Sequence, residues 1–419
     1  MSGTLATAEI IAVGSELLTP HRIDTNSLFL TARLNDFGIE VRGKSVVGDN
    51  RGDLAARLRD ALARVDVVIT TGGLGPTDDD LTRDVVAEVL DRALHVDAEI
   101  VAAIEARFAR RGLRMPAINR RQGNVPEGAT VLPNAHGTAP GLLLEWDGRL
   151  VVLLPGPPRE MQPMFDGAVA PVLDLRTAGS RLQRRVLKVT GRSESQVEEI
   201  AHPIYSALGD ESVRVQTTIL ATPGQIELHL ASAGREHEAI ARTLDDGITR
   251  LAAALGEPVF STDGRTLEAV VGDALRDRGL RIATAESCTG GLLAGGLTDV
   301  PGSSSYVVGG VVAYANSVKV HELGVPLKLL ESHGAVSEEV ARTMASHVRE
   351  RFAADVGVSV TGIAGPDGGT PSKPVGTVWI AVATTAGVVA RQFQFPGDRE
   401  AIRRHSTAAA LDMVRREIR

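Results

Sequence analysis

Short apolar runs alternate with longer segments whose apolar positions recur every three or four residues. Near the N-terminus, Glu9–Val13 and Val65–Thr71 are apolar runs. Between them, Asp24–Phe37 and Arg51–Ala63 have the helical period. This order of elements predicts a parallel sheet covered by helices, as in an α/β domain. Gly38 directly follows the first helical pattern and predicts a left-handed helix end.

Two polar stretches interrupt this pattern and divide the chain. Arg176–Ser180 is typical of a connector, and Pro258–Arg265 is typical of a hinge. The segment between them has the order β-α-β-β-α, whereas the segment after the hinge again alternates strands and helices. We therefore predict an N-terminal three-layer α/β domain over residues 1–175, a small α+β domain over residues 181–257 and a C-terminal α/β domain over residues 261–419.

Composition narrows the class of protein. Hydrophobic residues make up 43% and charged residues 23% of the 419 positions, as in ordinary globular proteins. Lys and Arg number 45 and Asp and Glu 52, a net charge of −7, so nucleic acid is not expected as a partner. The single cysteine, Cys288, excludes an intramolecular disulfide and a multi-cysteine zinc site. No segment is typical of a secretory signal or a membrane span, and we expect a cytoplasmic protein without a membrane partner.

A segment rich in glycine and aspartate, Thr70–Thr82, follows an apolar strand. Glycines let backbone N–H groups approach a phosphate, and ligands of open α/β sheets bind where strands end. The three aspartates would repel a phosphate unless a divalent cation lay between them, which indicates metal-assisted phosphate chemistry. An alternative is that Thr77 or Asp78 caps a helix and the other aspartates occupy its first turn.

The C-terminal domain has three polar motifs, Thr284–Gly291, Pro301–Tyr306 and Tyr314–Lys319. The last two bracket the apolar strand Val307–Ala313. A serine hydroxyl becomes a nucleophile when a base takes its proton, and a lysine can be that base when it is neutral. Desolvation favours the neutral amine, and Lys319 near the end of a buried strand could supply it.

The residues alone leave the nucleophile open. Serines after a proline and a glycine, such as Ser304, are ordinary turn formers. Cys288 lies near a predicted helix start, which lowers a thiol pKa, but a lone cysteine is commonly a small buried hydrophobe. The glycine-rich segment Val360–Gly369 follows another strand and could bind a phosphate or an oxyanion, and Arg399 at the start of the final helix could meet an anion.

The N-terminal motifs GSELL, DTN, VGDN, TTGGLGPTDDDLT, NAHGTAPG and LPGPPREM closely resemble the competence/damage-inducible protein A (CinA) family. The resemblance implies a molybdopterin-binding-like fold that splits ADP-ribose into AMP and ribose 5-phosphate with a divalent metal cation. Pro20 and His21 depart from the family's loop, where a glycine would be expected. The candidate phosphate- and nucleotide-binding residues are Gly14, Glu16, Asp24, Asn26, Gly72, Gly73, Gly75, Thr77, Asn134 and Thr138, and the candidate metal ligands are Glu16, Asp79 and Asp80.

The middle domain resembles the KH-type module that this family carries between its two enzymatic domains. An RNA-binding KH module clamps the nucleic-acid backbone with a GXXG loop, whereas Gly191–Glu194 lacks the second glycine. We therefore expect a spacer or a dimerisation module, and a homodimeric protein.

The motifs AESCTGG, GSSSY, YANSVK, HGAVS, SVTGIAGPDGG, KPVGTVW and GDR resemble the nicotinamide-nucleotide amidohydrolase domain. The resemblance implies hydrolysis of nicotinamide mononucleotide to nicotinate mononucleotide and ammonia without a cofactor. It also implies that Ser304 is the nucleophile and that Tyr314 and Lys319 activate it. The candidate substrate-binding residues are Glu286, Ser287, Thr361, Gly362, Gly365 and Arg399.

Overall fold

The structure is a computed structural model that describes residues 5–419. These residues divide into two compact units, the first comprising residues up to 183 with 232–241, and the second 184–231 with 242–419. None of the helices in the described range combines the length and apolar character needed to cross a membrane.

The first unit contains one large sheet. The strands of this unit are β1 (Thr7–Val13), β2 (Glu40–Val47), β3 (Val67–Thr71), β4 (Leu94–Val96), β5 (Asn124–Pro126), β6 (Thr130–Leu132), β7 (Gly141–Trp146) and β8 (Arg149–Leu154). Its helices are α1 (Asn26–Asp36), α2 (Arg51–Leu62), α3 (Thr82–Val89), α4 (Ala98–Ala109), α5 (Pro158–Met164) and α6 (Ala170–Thr177). Six strands pair in the order β2-β1-β3-β8-β7-β6. The first four are parallel, and β7 and β6 are antiparallel additions.

Alternate residues of β3 face opposite layers of this unit. Val67 and Ile69 belong to a core with Leu30 of α1, whereas Val68 belongs to a second core with Leu58 of α2. Because successive side chains of a strand point to opposite faces, a strand that is buried at every position, as β3 is, must be covered on both sides. The predicted three-layer α/β architecture is confirmed.

The second unit contains two sheets. The remaining strands are β9 (Arg181–Thr190), β10 (Gln216–Thr222), β11 (Gln225–Gly234), β12 (Val259–Ser261), β13 (Ile282–Glu286), β14 (Val307–Val312), β15 (Val356–Gly362), β16 (Thr377–Thr384) and β17 (Gly387–Gln394). The remaining helices are α7 (Glu194–Tyr205), α8 (His237–Leu255), α9 (Leu267–Asp277), α10 (Leu292–Thr298), α11 (Asn316–Leu323), α12 (Leu327–His333), α13 (Glu338–Arg351) and α14 (Arg399–Glu417). One sheet has the order β10-β11-β9-β12, and the other has the order β14-β13-β15-β16-β17.

In the five-stranded sheet, β14, β13 and β15 are parallel, and β16 and β17 are antiparallel. Ile282 of β13 packs in a core with α9 and α14, whereas its neighbour Ala283 packs in a core with α13. The sheet is therefore also covered on both faces. Its three parallel strands end at the same edge, and this edge holds most of the candidate amidase residues.

The structure corrects the local interpretation of the aspartate-rich segment. Helix α3 begins at Thr82 after Leu81, and no side chain caps its first turn. Thr77 and Asp78 precede the helix and cap nothing, so the helix-cap interpretation of these residues is wrong. Gly38 has a φ of 69°, which confirms the predicted left-handed end of α1.

Candidate active sites

Ser287 and Lys319 meet at the carboxyl edge of the five-stranded sheet. Ser287 follows β13, and Lys319 lies in the first turns of α11, which follows the neighbouring strand β14. Lys319 Nζ lies 3.1 Å from Ser287 Oγ. The lysine side chain is buried, with 1% of the residue exposed, and Ser287 is 9% exposed. A potential nucleophile therefore contacts a potential base within a buried environment.

Burial of Lys319 acts against its charged form. Its amine donates to the carbonyl oxygens of Ala313 at 2.8 Å and Tyr314 at 3.4 Å, and no carboxylate of residues 5–419 forms an ion pair with it. Burial lowers the pKa of Lys319 because desolvation penalises the ammonium ion. A neutral amine has two hydrogens and one lone pair. In the structure the amine donates to Ser287 Oγ as well as to the two carbonyls. When the amine is neutral, the two carbonyls can accept its hydrogens, and its lone pair is then available for the Ser287 hydroxyl proton.

Two details of this region differ from the sequence-based prediction. Lys319 lies in helix α11 and not near the end of a strand. Ser304 lies in a 3-10 turn before β14, whereas Lys319 lies after that strand. Six strand residues rising ~3.3 Å each place the two ends of β14 about 20 Å apart. Within one copy of the chain, the structure does not bring Ser304 to Lys319.

The rival nucleophile Cys288 is buried in the core of this domain. Burial raises the pKa of its thiol to about 11, because the thiolate would lose its hydration. Since the thiolate is the reactive form of cysteine, this environment makes Cys288 a poor nucleophile at neutral pH.

Glu286 is engaged by the backbone and does not face a cavity. Its carboxylate accepts hydrogen bonds from the N–H groups of Gly291, Leu293 and Ala294 at 2.8–3.0 Å, and the residue is fully buried. A carboxylate is favourable at a helix start. Glu286 therefore holds the start of α10 in place beside Ser287.

Arg399 and Tyr314 form the exposed side of this site. Arg399 donates to the Gly365 carbonyl at 2.8 Å and to the Tyr314 hydroxyl, and it forms no ion pair with the described residues. Thr361 is buried and donates to the Ala335 carbonyl at 2.7 Å, which ties the end of β15 to the segment before α13. Arg399 thus has a fixed position and an uncompensated charge, which suits an anionic group.

A cavity of about 810 Å³ in the second unit is lined by Arg399 together with Gly291 and Arg403. Ser287 and Lys319 do not line it. The cavity is thus large enough for the body of a nucleotide beside Arg399, while the nucleophile and base lie deeper in the domain.

The first unit has a cavity of about 380 Å³ at the carboxyl ends of its parallel strands. It is lined by five carboxylates and by no lysine or arginine; the carboxylates belong to Glu16, Asp49, Asp79, Asp80 and Glu160. Gly14, Gly72, Gly73, Gly75 and Thr138, all predicted from the sequence, also line it. The predicted phosphate and metal residues are thus largely brought together.

The glycine-rich loop of this cavity packs closely against the end of β1. Gly72 has a φ of 104°, and a Cβ there would lie 2.1 Å from the Val13 carbonyl oxygen, so only glycine fits. Thr82 closes the loop by donating from its hydroxyl to the Gly72 carbonyl at 2.8 Å. The buried Arg83 donates to the carbonyls of Leu74 and Gly75, and burial lowers its pKa to about 10. Arg83 was not predicted, because nothing in the sequence distinguishes it from a surface arginine of a helix.

The carboxylates are arranged around the cavity and are not gathered at one point. Asp80 accepts hydrogen bonds from the Thr77 N–H at 2.9 Å and hydroxyl at 2.6 Å. A hydrogen bond with Thr77 also holds the pKa of Asp79 below its usual value. Over residues 5–419, no three His, Cys, Asp or Glu side chains form a group that could hold a metal ion. Carboxylate oxygens nonetheless suit a hard divalent cation, which commonly binds one or two carboxylates and completes its shell with substrate phosphates and water.

Several other predicted residues hold the walls of this site. Asp24 accepts from the N–H and hydroxyl of Ser27, and Asn26 donates to Thr71 and to the Gly156 carbonyl. Asn134 donates to Glu160 at 2.8 Å. Asp24, Asn26, Thr77 and Asn134 do not line the cavity. Asp49 and Glu160 do line it and occur in the motifs VGDN and LPGPPREM, where nothing distinguishes them from the other polar residues.

Two family models match this chain. A CinA C-terminal domain model matches residues 264–418, and a probable molybdopterin binding domain model matches residues 9–175. A CinA-like protein of Koribacter versatilis is 47% identical over 415 residues, which cover 98% of this chain and 99% of the relative. A putative competence-damage inducible protein of Symbiobacterium thermophilum is 46% identical over 422 residues, which cover 98% of both chains.

A solved structure is also similar in sequence. The competence/damage inducible protein CihA from Agrobacterium tumefaciens is 42% identical, and the alignment covers 35% of this chain and 90% of that chain with a TM-score of 0.35.

Proposed function

Because this chain belongs to the family of CinA-like and competence-damage inducible proteins, we propose that its C-terminal domain hydrolyses the carboxamide of nicotinamide mononucleotide. The observation that carries the proposal is the buried contact between Ser287 Oγ and Lys319 Nζ at 3.1 Å. A serine beside a desolvated lysine is a nucleophile and base pair of the kind that acyl-transfer hydrolases use. No metal or organic cofactor is needed for this chemistry.

In the proposed reaction, Ser287 Oγ attacks the carboxamide carbon as its proton moves to Lys319 Nζ. The protonated lysine then gives that proton to the amide nitrogen, ammonia leaves and an ester to Ser287 remains. Water attacks the ester and loses a proton to Lys319. Lys319 returns that proton to Ser287 Oγ as the ester bond breaks, which releases nicotinate mononucleotide and restores both side chains. Lys319 thus serves as base and acid in turn, for which a lowered pKa is suited.

Substrate recognition is assigned to Arg399 and Tyr314. A mononucleotide has a phosphate group, and the Arg399 guanidinium forms no ion pair within residues 5–419. Its bonds to Gly365 and Tyr314 fix its direction, so a phosphate meets a preorganised donor. The Tyr314 hydroxyl contacts the same guanidinium group, so a phosphate bound by Arg399 would also meet this hydroxyl.

Ser304 remains a second candidate for the nucleophile, and it is linked to the proposal of a homodimer. Since β14 separates it from Lys319 of its own chain, Ser304 can act only in the site of a second copy. This arrangement would make the active site dependent on the dimer. The Ser287 mechanism needs one chain only.

For the N-terminal domain we propose metal-dependent hydrolysis of ADP-ribose to AMP and ribose 5-phosphate. Five carboxylates and no basic side chain line its cavity, so a pyrophosphate can enter only with a cation that offsets their charge. Asp79, Asp80 and Glu16 would hold the metal, which would supply Lewis-acid activation of a phosphoryl oxygen. The glycine-rich loop supplies backbone N–H groups, and Arg83 fixes its carbonyls away from the ligand.

One observation favours a second candidate function for this domain. Residues 9–175 match a probable molybdopterin binding domain model, and a pterin nucleotide also presents a phosphate to such a loop. The domain could then bind a pterin nucleotide without hydrolysis. The relatives' name, competence-damage inducible protein, raises a non-enzymatic role in competence as a further candidate.

Product analysis tests these proposals directly. Purified protein is incubated separately with nicotinamide mononucleotide and with ADP-ribose plus a divalent cation, and ammonia and AMP are measured. Ammonia from the first substrate supports the amidase, and AMP from the second supports the pyrophosphatase. Absence of AMP together with binding of a pterin nucleotide would favour the second candidate. Absence of both products and of pterin-nucleotide binding would leave only the non-enzymatic role.

We predict that a fragment starting near Ser261 folds alone and keeps amidase activity. Its five-stranded sheet is covered on both faces by helices of the same segment, so it can close its own core. Circular dichroism and ammonia release at saturating substrate should therefore match the full chain within a few-fold. An insoluble or inactive fragment would mean that the active site needs residues that precede the hinge.

A further inference from the structure

The second unit contains a further cavity, of about 570 Å³, that neither proposed reaction uses. We call it the ring cavity. Its walls come from the loop after β9, the β10–β11 hairpin, strand β17 and helix α14. Ser287, Tyr314, Lys319 and Arg399 do not line it. Its volume lies in the range of sites that bind small molecules.

Three stacked rings line one wall of the ring cavity. The rings of Phe393 and Phe395 are parallel within 11° with centroids 5.2 Å apart. The rings of Phe395 and His405 are parallel within 12° with centroids 5.4 Å apart. Burial lowers the pKa of His405, so its ring is neutral at pH 7. All three are partly exposed, and such a wall suits the face of another planar aromatic group.

Two arginines line the same cavity from different elements. Arg192 belongs to the loop after β9, and Arg391 lies two residues before Phe393 in β17, on the same face of the strand. Neither forms an ion pair with the described carboxylates. Arg416 also lines the cavity but is already paired with Asp412 and Glu257.

One unpaired carboxylate, that of the exposed Glu194, also lines the ring cavity. Two free guanidinium groups therefore face one free carboxylate, which leaves a net positive charge beside the rings. Guanidinium groups bind phosphate by charge-assisted hydrogen bonds.

The hairpin wall is held in place by a glycine. Gly224 has a φ of 84°, and a Cβ there would lie 2.8 Å from the Ala408 Cβ of α14. The Thr190 hydroxyl donates to the Gly224 carbonyl at 2.9 Å. The hairpin is thus fixed against both the end of β9 and α14.

We propose that the ring cavity binds a mononucleotide, with the base against the ring stack and the phosphate between Arg192 and Arg391. The ligand combines the two chemistries that the walls offer, a planar aromatic group and an anion. The ring cavity adjoins the cavity beside Arg399, with which it shares Thr222 and Gln225, but its walls include none of the proposed amidase or pyrophosphatase residues, and ligand binding there does not depend on either activity. It also gives the middle module a ligand-binding role in place of the spacer role expected from its sequence.

The test uses AMP as the probe and the full-length protein. Hydrogen–deuterium exchange is measured by mass spectrometry with and without millimolar AMP, and binding is followed by titration calorimetry. We expect slower exchange in peptides covering residues 190–196 and 389–396. Arg192→Gln and Arg391→Gln should each weaken this binding roughly tenfold or more, since each removes a charge-assisted contact. Phe393→Leu retains apolar volume and should also weaken it.

The matched control is Arg278→Gln, which removes the same charge from an exposed position at the end of α9. It should leave AMP binding unchanged. Adenosine and inorganic phosphate separate the two halves of the ligand, and each alone should bind more weakly than AMP. The proposal is overturned if AMP protects neither segment, if the two arginine variants keep full protection, if phosphate alone protects as well as AMP, or if a single-stranded oligonucleotide protects more strongly.

Discussion

Replacing Ser287 by alanine should lower kcat for ammonia release by several orders of magnitude, as removal of the nucleophile does in acyl-transfer hydrolases. Substrate binding should survive, because Arg399 and Tyr314 are untouched and the lost hydroxyl is small. The measurement is single-turnover ammonia release, with binding of nicotinamide mononucleotide followed separately by calorimetry. A loss of binding together with rate would indicate a folding defect and not a catalytic one.

Two variants serve as comparisons for Ser287→Ala. Cys288→Ser should retain near-normal kcat, because burial raises the thiol pKa to about 11 and leaves no reactive thiolate at neutral pH. Ser304→Ala should be mild if Ser287 is the nucleophile. An inactive Ser304→Ala beside an active Ser287→Ala would reverse the assignment. In that case, mixing Ser304→Ala with Lys319→Met chains should restore activity, since each mixed dimer would contain one intact site.

Lys319→Met should cost a comparable amount of kcat. Methionine fills a similar buried volume without an amine, so the loss reports proton transfer more than packing. Combined with Ser287→Ala it should add little, because members of one catalytic unit are strongly non-additive. Burial lowers the Lys319 pKa, and only the neutral amine accepts a proton. The wild-type kcat should therefore rise with pH through that lowered pKa, and a kcat that falls over this range would contradict the role as base.

The six-stranded and the five-stranded sheets could be predicted from the sequence because helices cover each of them on both faces. A buried parallel strand such as β8 is apolar at nearly every position, and this pattern is visible without any tertiary information. Short helices such as α11 could not be predicted from the sequence. In α11, Val318 and Val320 alternate with polar neighbours and imitate a strand over too few residues for a helical period to emerge.

The candidate site was harder to predict, because its geometry depends on which strands are neighbours. Ser287 and Lys319 are 32 positions apart and meet only because β13 and β14 pair in parallel with their ends aligned. Motif spacing cannot show that register. Glu286 illustrates the same limit: it was a candidate substrate-binding residue, whereas its carboxylate accepts hydrogen bonds from N–H groups at the start of α10.

A chelator should abolish AMP release from ADP-ribose and spare ammonia release from nicotinamide mononucleotide. The N-terminal cavity has five carboxylates and no basic side chain, so without a cation the pyrophosphate meets only negative charge. The Ser287–Lys319 chemistry transfers protons between side chains and has no such need. Both activities are measured on one preparation before and after EDTA, and again after excess Mg²⁺ or Mn²⁺ is restored.

The Asp80→Asn variant tests whether this metal dependence arises in the N-terminal cavity. The amide oxygen can still accept from Thr77 and preserve the turn, while the charge that would hold the cation is lost. AMP release should fall at least ~10-fold, the lower end of the cost of weakening a metal site. Asp78→Asn is the matched control, because Asp78 is exposed, pairs with Arg121 and does not line the cavity. Equal losses in the two variants, or equal loss of AMP and ammonia release on chelation, would refute a metal site formed by Glu16, Asp79 and Asp80.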